Sequence, residues 1–410
     1  NKIIKDSINK LKPSATLAIN EESNRLKKQG KKIYKFGFGQ SPFPIPEPIV
    51  DVLKKNAYKN KYLPMQGLEE LRLAISKYLN RLNKSNFDLD DIIVGPGTKE
   101  LMFLIQITFN GEVILPAPSW VSYQPQALIA NNKVHWIQTS ITSNWFPNVE
   151  QIEEKIKTLK NKNLILFLNS PNNPSGTICN NLKQIAEIAK KYNLIVLSDE
   201  IYSELTFENK HQSISEFYPE GTIVSSGLSK WCGAGGWRLG FFAIPKKLSN
   251  LKNSLKILSS ESFSSVSAPT QYAAIEAYTG DYSDYLYNVK KILFCAGQYV
   301  YENLKSNTVN IAKPEGGFYL FPEFINAKFS SSSAMCKDIL EKTGVALLPG
   351  SDFGIDNKKM ITRLSYTDFD GTKFLNNTSG RKKLDNGDLE KYAPNLVEGV
   401  ARLKEWSNSL

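Results

Sequence analysis

The stretch that decides the fold is NLILFLNSPNNPSGTICNNLKQIAEIAKKYNLIVLSDE, residues 163–200. Two short apolar runs, LILFL (164–168) and LIVL (194–197), flank LKQIAEIAKKYN (182–193), whose apolar residues recur at helical spacing. A strand that is apolar at every position is buried on both faces. Such strands run parallel and are joined by helices that cover the sheet. The same alternation extends outward in both directions. GLEELRLAISKYLNRL (67–82) reads as an amphipathic helix, DIIVGPGT (91–98) as a strand and turn, and KELMFLIQITF (99–109) as the next helix. EVILPAP (112–118), TIVSSGLSK (222–230) and GWRLGFFAI (236–244) read as strands, and NVEQIEEKIKTL (148–159) as a helix. The expected class is therefore α/β, with a mostly parallel sheet covered by helices on both sides.

With 410 residues the chain exceeds what one core commonly holds, so a second unit is expected. Beyond residue 290 the texture changes to a long helix, YLYNVKKILFCAGQYVYENLK (285–305), and then to short segments such as GGFYLFPEF and MITRLSYTDF. This predicts a large domain over 46–290 and a smaller α+β domain built from 1–45 and 291–410. In the first of these end segments, SATLAINEESNRLKKQ (14–29) reads as a helix with Ser14 as N-cap and Gly30 as its stop. The polar stretch TKFLNNTSGRKKLDNGDLEKYAP (372–394) reads as a surface insertion.

Composition narrows the chemistry. The net charge of +11 is spread among interleaved acids, and no basic stripe alternates with aromatics, so it reads as a solvated surface and not as a nucleic-acid face. The four cysteines lack CxxC spacing, which supports neither a zinc site nor a disulfide framework, and no metal is expected. No apolar run suggests a membrane span, and no leader is visible, which makes the cytoplasm the default location. The chain starts at Asn1 and not at a methionine, so a removed extension is compatible with this reading. Only two histidines occur, His135 and His211, and neither has a catalytic setting. Another side chain must then move protons at neutral pH, and a lysine of lowered pKa is one of the few options.

Four segments place reactive residues near predicted strand ends, where open α/β sheets gather ligands. In SGLSKWCGAGGWRLG (226–240), Lys230 ends an apolar strand and Arg238 lies eight residues on, past glycines. A buried lysine can form a Schiff base with an aldehyde, and an arginine beside it can clamp a phosphate. In LIVLSDEIYSEL (194–205), Asp199 sits at the strand's edge, where a carboxylate needs a cationic partner such as a protonated ring nitrogen, and Tyr202 can donate a hydrogen bond. Alone, Asp199 reads equally well as a structural cap. In NSPNNPSG (169–176), Asn173 offers an amide, although any turn could have this composition. In IIVGPGTKEL (92–101), the amides of Gly97, Thr98 and Lys99 open a helix and would form an anion site. That segment lacks GxxxxGK[ST], and Glu100 occupies the third glycine position of a dinucleotide fingerprint, which counts against ATP and NAD.

These segments, in this order and spacing, resemble the fold-type-I, pyridoxal-phosphate-dependent aminotransferases of the aspartate aminotransferase family. LKPSATLAIN, GQSPFPIP, YLPMQGLEELR, PSWVSY, LLPGSDFG and TRLSY extend the resemblance over nearly the whole chain. Each motif is weak alone, and together in register they are strong. The resemblance implies pyridoxal 5′-phosphate carried on Lys230, which would also shuttle the substrate proton. It implies Asp199 at the ring nitrogen, Asn173 and Tyr202 at the ring oxygen, and Trp120 stacked on the ring. It further implies a phosphate held by Gly97, Thr98, Lys99, Ser229 and Arg238. Tyr62 would reach the phosphate of a neighbouring subunit, which makes a homodimer with shared sites the working unit. Arg363 would bind the substrate α-carboxylate, with Trp120, Asn173 and the backbone of Gly39 as further contacts. Departures from the family pattern are Ser175 in SPNNPSG, where threonine is usual, Gly235 in KWCGAGGWR, and the polar stretch near 373–392.

The expected reaction moves an amino group from an L-amino acid, with aspartate a candidate, to a 2-oxo acid such as 2-oxoglutarate. The partners would be these small molecules and a second subunit, with no nucleic acid or membrane. Two rivals stay open at this point: β-elimination or decarboxylation with the same cofactor, and a catalytically silent binding module. No residue of the sequence can be named as the clamp for a side-chain carboxylate.

Overall fold

The computed structural model describes residues 3, 4, 6–9, 11, 15–208 and 211–410. Seven strands form the main sheet: β1 (Ile92–Gly95), β2 (Glu112–Ala117), β3 (Val134–Gln138), β4 (Leu164–Asn169), β5 (Ile195–Asp199), β6 (Thr222–Gly227) and β7 (Gly240–Ala243). Their order is β1-β7-β6-β5-β4-β2-β3. The pairs from β3 through β6 are parallel, and β7 runs antiparallel to both of its neighbours, β6 and β1. The α/β expectation holds, with β7 as the one reversed strand and β3 a strand that the sequence reading did not single out.

The pleat explains why the strands are apolar throughout. On one face, Ile114, Leu166 and Val196 pack with residues of the helices Val149–Thr158 and Leu182–Lys191. On the other, Val113, Leu115, Ile165, Phe167 and Leu197 pack with the helices Thr98–Thr108, Tyr123–Ile129 and Ser249–Ser262. Successive side chains of the central strands thus enter opposite cores and are shielded from water, while the edge strand β3 is partly exposed.

The C-terminal part adds two small antiparallel sheets. Strand β8 (Val309–Asn310) pairs with β10 (Glu323–Phe324), and β12 (Thr362–Ser365) lies between β9 (Tyr319–Leu320) and β11 (Leu348–Pro349). The helix Ala15–Lys28 comes before this part in sequence and packs with it, Leu26 and Ile33 clustering with Leu340 and Ala346. Gly30 follows that helix with φ +83°, as a left-handed stop requires. Its expected cap, Ser14, lies outside the described residues.

Two expectations are corrected. The segment near 373–392, read as a polar surface insertion, is anchored in the core and helical. It forms the helices Gly371–Thr378 and Asn386–Tyr392, whose Phe374 and Leu389 are fully buried in the main core. Its polar composition hid apolar residues at helical spacing and two aspartate caps, Asp370 and Asp385. The stretch GWRLGFFAI is strand only from Gly240, because Gly235–Trp237 form a short 3₁₀ turn before it. Among the described residues no helix is long and apolar enough to cross a membrane.

Candidate active site

The C-terminal ends of β1, β2, β4, β5 and β6 open on one side of the sheet. The chain leaving β5 ends on Asp199, and the chain leaving β6 reaches Lys230 three residues past the strand's last residue, Gly227. Lys230 is therefore in the turn and not on the strand, which gives its side chain freedom to reach across. Its Nζ donates to the carbonyl of Gly39 at 2.6 Å and lies 5.6 Å from the ring centres of Tyr202 and Phe318.

Asp199 is buried, and its Oδ2 accepts from the Tyr123 hydroxyl at 2.6 Å. Its Oδ1 is buried without a hydrogen-bond partner. Burial pushes the carboxyl up to about 6, although the Tyr123 hydroxyl, the Ile201 amide and the Lys230 charge pull it the other way. A buried carboxylate in this state is incomplete, and a cationic N–H placed against Oδ1 would satisfy it. Tyr123 was missed by the sequence reading, although it ends the PSWVSY motif and opens the helix Tyr123–Ile129.

Arg363, from β12, is 4 % exposed, which excludes an ordinary surface charge. Nη1 donates to Asn173 Oδ1 at 3.1 Å and Nη2 to the carbonyl of Gly37 at 2.7 Å, while Nε is buried without a partner. The guanidinium lies between the rings of Tyr319 and Phe353, at 4.6 and 5.2 Å from their centres. Asn173 is itself held by its backbone N–H, which donates to Asn169 Oδ1 at 2.7 Å. Asn169 in turn donates to the carbonyl of Asp199, so one side chain ties β4's end to β5's.

The anion-binding corner is formed by Gly97 and Arg238. Gly97 precedes the helix Thr98–Thr108 with φ +85°, and a Cβ there would collide with Nη2 of Arg238. Only glycine fits both demands. The Gly97 amide is not free as expected, because the tight turn points it at the carbonyl of Gly95, 2.7 Å away. The amides of Thr98 and Lys99 start the helix and have no intrahelical acceptor. Arg238, at φ +55°, is held by the carbonyls of Gly235 and Pro96. Burial, with the charges of Arg238 and Lys230, lowers the pKa of Lys99. Its Nζ lies 5.1 Å from the Trp120 ring centre, and Trp120 meets Tyr123 edge-on at 5.4 Å. Ser229 is half-buried beside Lys230. Tyr62 is 91 % exposed and, among the described residues, has no hydrogen bond to this cluster.

The cluster thus offers a lysine amine, an unsatisfied carboxylate oxygen, an anion corner and a buried guanidinium. An aldehyde-bearing ring with a basic nitrogen and a phosphate matches this donor set, and the orphaned Asp199 Oδ1 and the Gly97–Arg238 cradle are the observations that test the match.

Comparison with known proteins agrees. Residues 31–372 match the family described as aminotransferase class I and II. The chain is similar to an aspartate aminotransferase of Bacillus sp. (strain YM-2), 33 % identical over 380 residues, covering 89 % of this chain and 94 % of that one. An aspartate aminotransferase of Geobacillus stearothermophilus is 34 % identical over 375 residues, covering 87 % and 92 %. Among solved structures, a double mutant of Thermus thermophilus aspartate aminotransferase superposes with a TM-score of 0.86 at 26 % identity, over 99 % of this chain and 100 % of that chain. The chain belongs to the class I and II aminotransferases, enzymes that use pyridoxal 5′-phosphate to move an amino group between an amino acid and a 2-oxo acid.

Proposed function

We propose that the chain transfers the amino group of aspartate to 2-oxoglutarate, with Lys230 as the residue that carries the cofactor and moves the substrate proton. The observation that carries the site assignment is the buried, half-satisfied Asp199 with the Lys230 amine nearby. The donor assignment is supported by the relatives described above, which carry the name aspartate aminotransferase.

When bound, pyridoxal phosphate supplies an electron-withdrawing ring that stabilises charge left on the substrate's α-carbon. Asp199 would hold the ring nitrogen protonated through Oδ1. Tyr202 and Asn173 would donate to the ring's phenolic oxygen, and Trp120 would cover the ring face. Thr98, Lys99, Ser229 and Arg238 would hold the phosphate, with Gly97 keeping the corner open. Arg363 would bind the α-carboxylate bidentately, giving up its contact with Asn173, and Gly39 would add a backbone contact. The Lys230 amine would take up the substrate's α-proton.

In this reading the large unit spans 46–290 and the smaller comprises 1–45 and 291–410. Gly39 and Arg363 then come from one unit and Lys230, Asp199 and Asn173 from the other, so the substrate lies between them. Tyr62 would complete the phosphate site of a second copy, in a homodimer working in the cytoplasm, where the free thiols stay reduced. Screening amino donors against 2-oxoglutarate tests the reaction. Glutamate and oxaloacetate formed from aspartate support it, and pyruvate with free ammonia, or loss of carbon dioxide, would replace it with elimination or decarboxylation.

A further inference from the structure

One side chain outside the assigned set touches three members of it. Tyr319, on β9, is 1 % exposed. Its hydroxyl accepts from the Tyr202 hydroxyl at 3.1 Å, and its ring face carries the guanidinium of Arg363 at 4.6 Å. The hydroxyl also lies against Gly39, where an added Cβ would collide with it, while the ring carbon behind it would stand at an ordinary 3.4 Å. Gly39 is the residue whose carbonyl receives Lys230 Nζ. The backbone of Tyr319 cannot yield, because its carbonyl packs against Gly176 of the NNPSG turn so closely that a Cβ there would collide with it.

We propose that Tyr319 is a positioning residue with two separable parts: its hydroxyl holds the Tyr202 phenol, and its ring holds the Arg363 guanidinium. This rests on the reading that Tyr202 faces the cofactor's phenolic oxygen and Arg363 the α-carboxylate. Once Tyr202 donates its hydrogen bond to that anionic oxygen, its own oxygen is left to accept one, and the only proton within reach on Tyr319 is the hydroxyl's. A chain of two hydroxyls polarises in one direction and makes Tyr202 the stronger donor. The phenolic anion is then stabilised, which lowers the pH at which the Lys230-bound chromophore loses its proton. The ring has a different task. A cation on an aromatic face, shielded from water, is held in place before the carboxylate arrives.

The test reads the pH midpoint of the chromophore's absorbance in the cofactor-loaded protein, beside the Michaelis constants of several substrates. The charged and titratable groups around Lys230 include Asp199 with Tyr123 bonded to it, Tyr202, Lys99, Arg238 and Arg363, and of the titratable groups only Tyr319 is altered. Tyr319→Phe should raise the midpoint by about 0.3–0.8 unit, the share of one hydrogen bond, and leave Michaelis constants unchanged. Tyr319→Leu should raise the midpoint similarly and also raise every Michaelis constant roughly 5–30-fold. Gly39→Ala, which pushes on the hydroxyl, should shift the midpoint in the unaltered background and add nothing in the Tyr319→Phe background, where the collision is gone. An unchanged midpoint in Tyr319→Phe, with the chromophore still on Lys230, would overturn the role of the hydroxyl. Equal Michaelis constants in the Phe and Leu variants and the parent would overturn the role of the ring. Absence of any chromophore on Lys230 in the unaltered protein would overturn the reading of the site, and the proposal with it.

Discussion

Arg363 and Asn173, 190 residues apart in the chain, are joined by a 3.1 Å hydrogen bond from Nη1 to Oδ1 in the buried centre of the site. Arg363 comes from a strand of the small three-stranded sheet and Asn173 from the turn after β4 of the main sheet, so the bond links the two sheets. Nε has no partner, and the fork is partly occupied by groups that a carboxylate would replace. Arg363→Lys should therefore weaken every amino donor and 2-oxo acceptor alike, by on the order of 2–5 kcal/mol in kcat/KM. Cofactor absorbance should persist, because Arg363 does not form part of the phosphate corner. Steady-state kinetics over acidic and neutral substrates checks this. A loss confined to acidic substrates would mean that Arg363 reads the side chain.

Asp199 predicts a pH dependence of the cofactor-free protein. Its pKa in the folded chain is raised from 3.8 to about 6, mainly by burial. A raised acid contributes stability that is fully present below the unfolded value and is lost as pH rises through the folded one. The cofactor-free protein should thus lose on the order of 2–3 kcal/mol from this group between pH 4 and 7. Asp199→Asn should remove that loss. The variant should unfold at a higher temperature than the parent at pH 7.5 without cofactor, and the gap should close near pH 4. Added pyridoxal phosphate should stabilise the parent more than the variant, because only an ionised Asp199 gains a cationic partner. Thermal unfolding at both pH values, with and without cofactor, measures it, and a pH-independent gap would contradict it.

How much of this was legible in the sequence depends on the kind of residue. Lys230 and Asp199 could be singled out because ionisable groups next to apolar strand runs demand a partner, and the demand is visible locally, whereas Arg363 was legible only through the family resemblance. The strand order was hidden: nothing in GFFA shows that β7 runs against its neighbours, since a strand buried on both faces reads the same in either direction. Tyr123 and Tyr319 were missed for a related reason. A tyrosine in an apolar stretch is indistinguishable from packing until the hydroxyl's partner is known, and those partners lie 76 and 117 residues away. The stretch near 373–392 was read only as a polar surface insertion, its helices hidden because charge outweighed periodicity, although Phe374, Leu375, Leu389 and Tyr392 are buried residues that anchor them.

Gly97 should be the least replaceable residue of the phosphate corner. Its φ of +85° disfavours any side chain, and a methyl group would meet the Arg238 guanidinium. Gly97→Ala should weaken pyridoxal phosphate about tenfold or more, the equivalent of at least ~1.4 kcal/mol, and leave the borohydride-reducible adduct on Lys230 intact at saturation. Equilibrium titration followed by peptide mass spectrometry separates the two effects. Unchanged affinity would show that Arg238 can move aside without loss.

Tyr62 tests the shared site. It stands 91 % exposed in the single chain, in a YLPMQG motif that the family resemblance places beside a neighbour's phosphate. Tyr58, four residues earlier in the chain, is exposed as well, and exposed tyrosines are enriched where a second copy docks. If Tyr62 serves the partner, then Lys230→Ala and Tyr62→Phe damage different sites of a mixed dimer. Each homodimer carries two defective sites, whereas a hybrid carries one site with both defects and one with neither. Mixing the two variants under subunit exchange should therefore restore activity, up to about a quarter of the unaltered level for random pairing, since half the dimers are hybrids with one good site each. The Tyr62→Phe protein alone should bind pyridoxal phosphate more weakly, because its phosphate loses one donor. Activity that is merely the average of the two variants would place Tyr62 in its own chain's site, and full activity in a strictly monomeric protein would remove the shared site altogether.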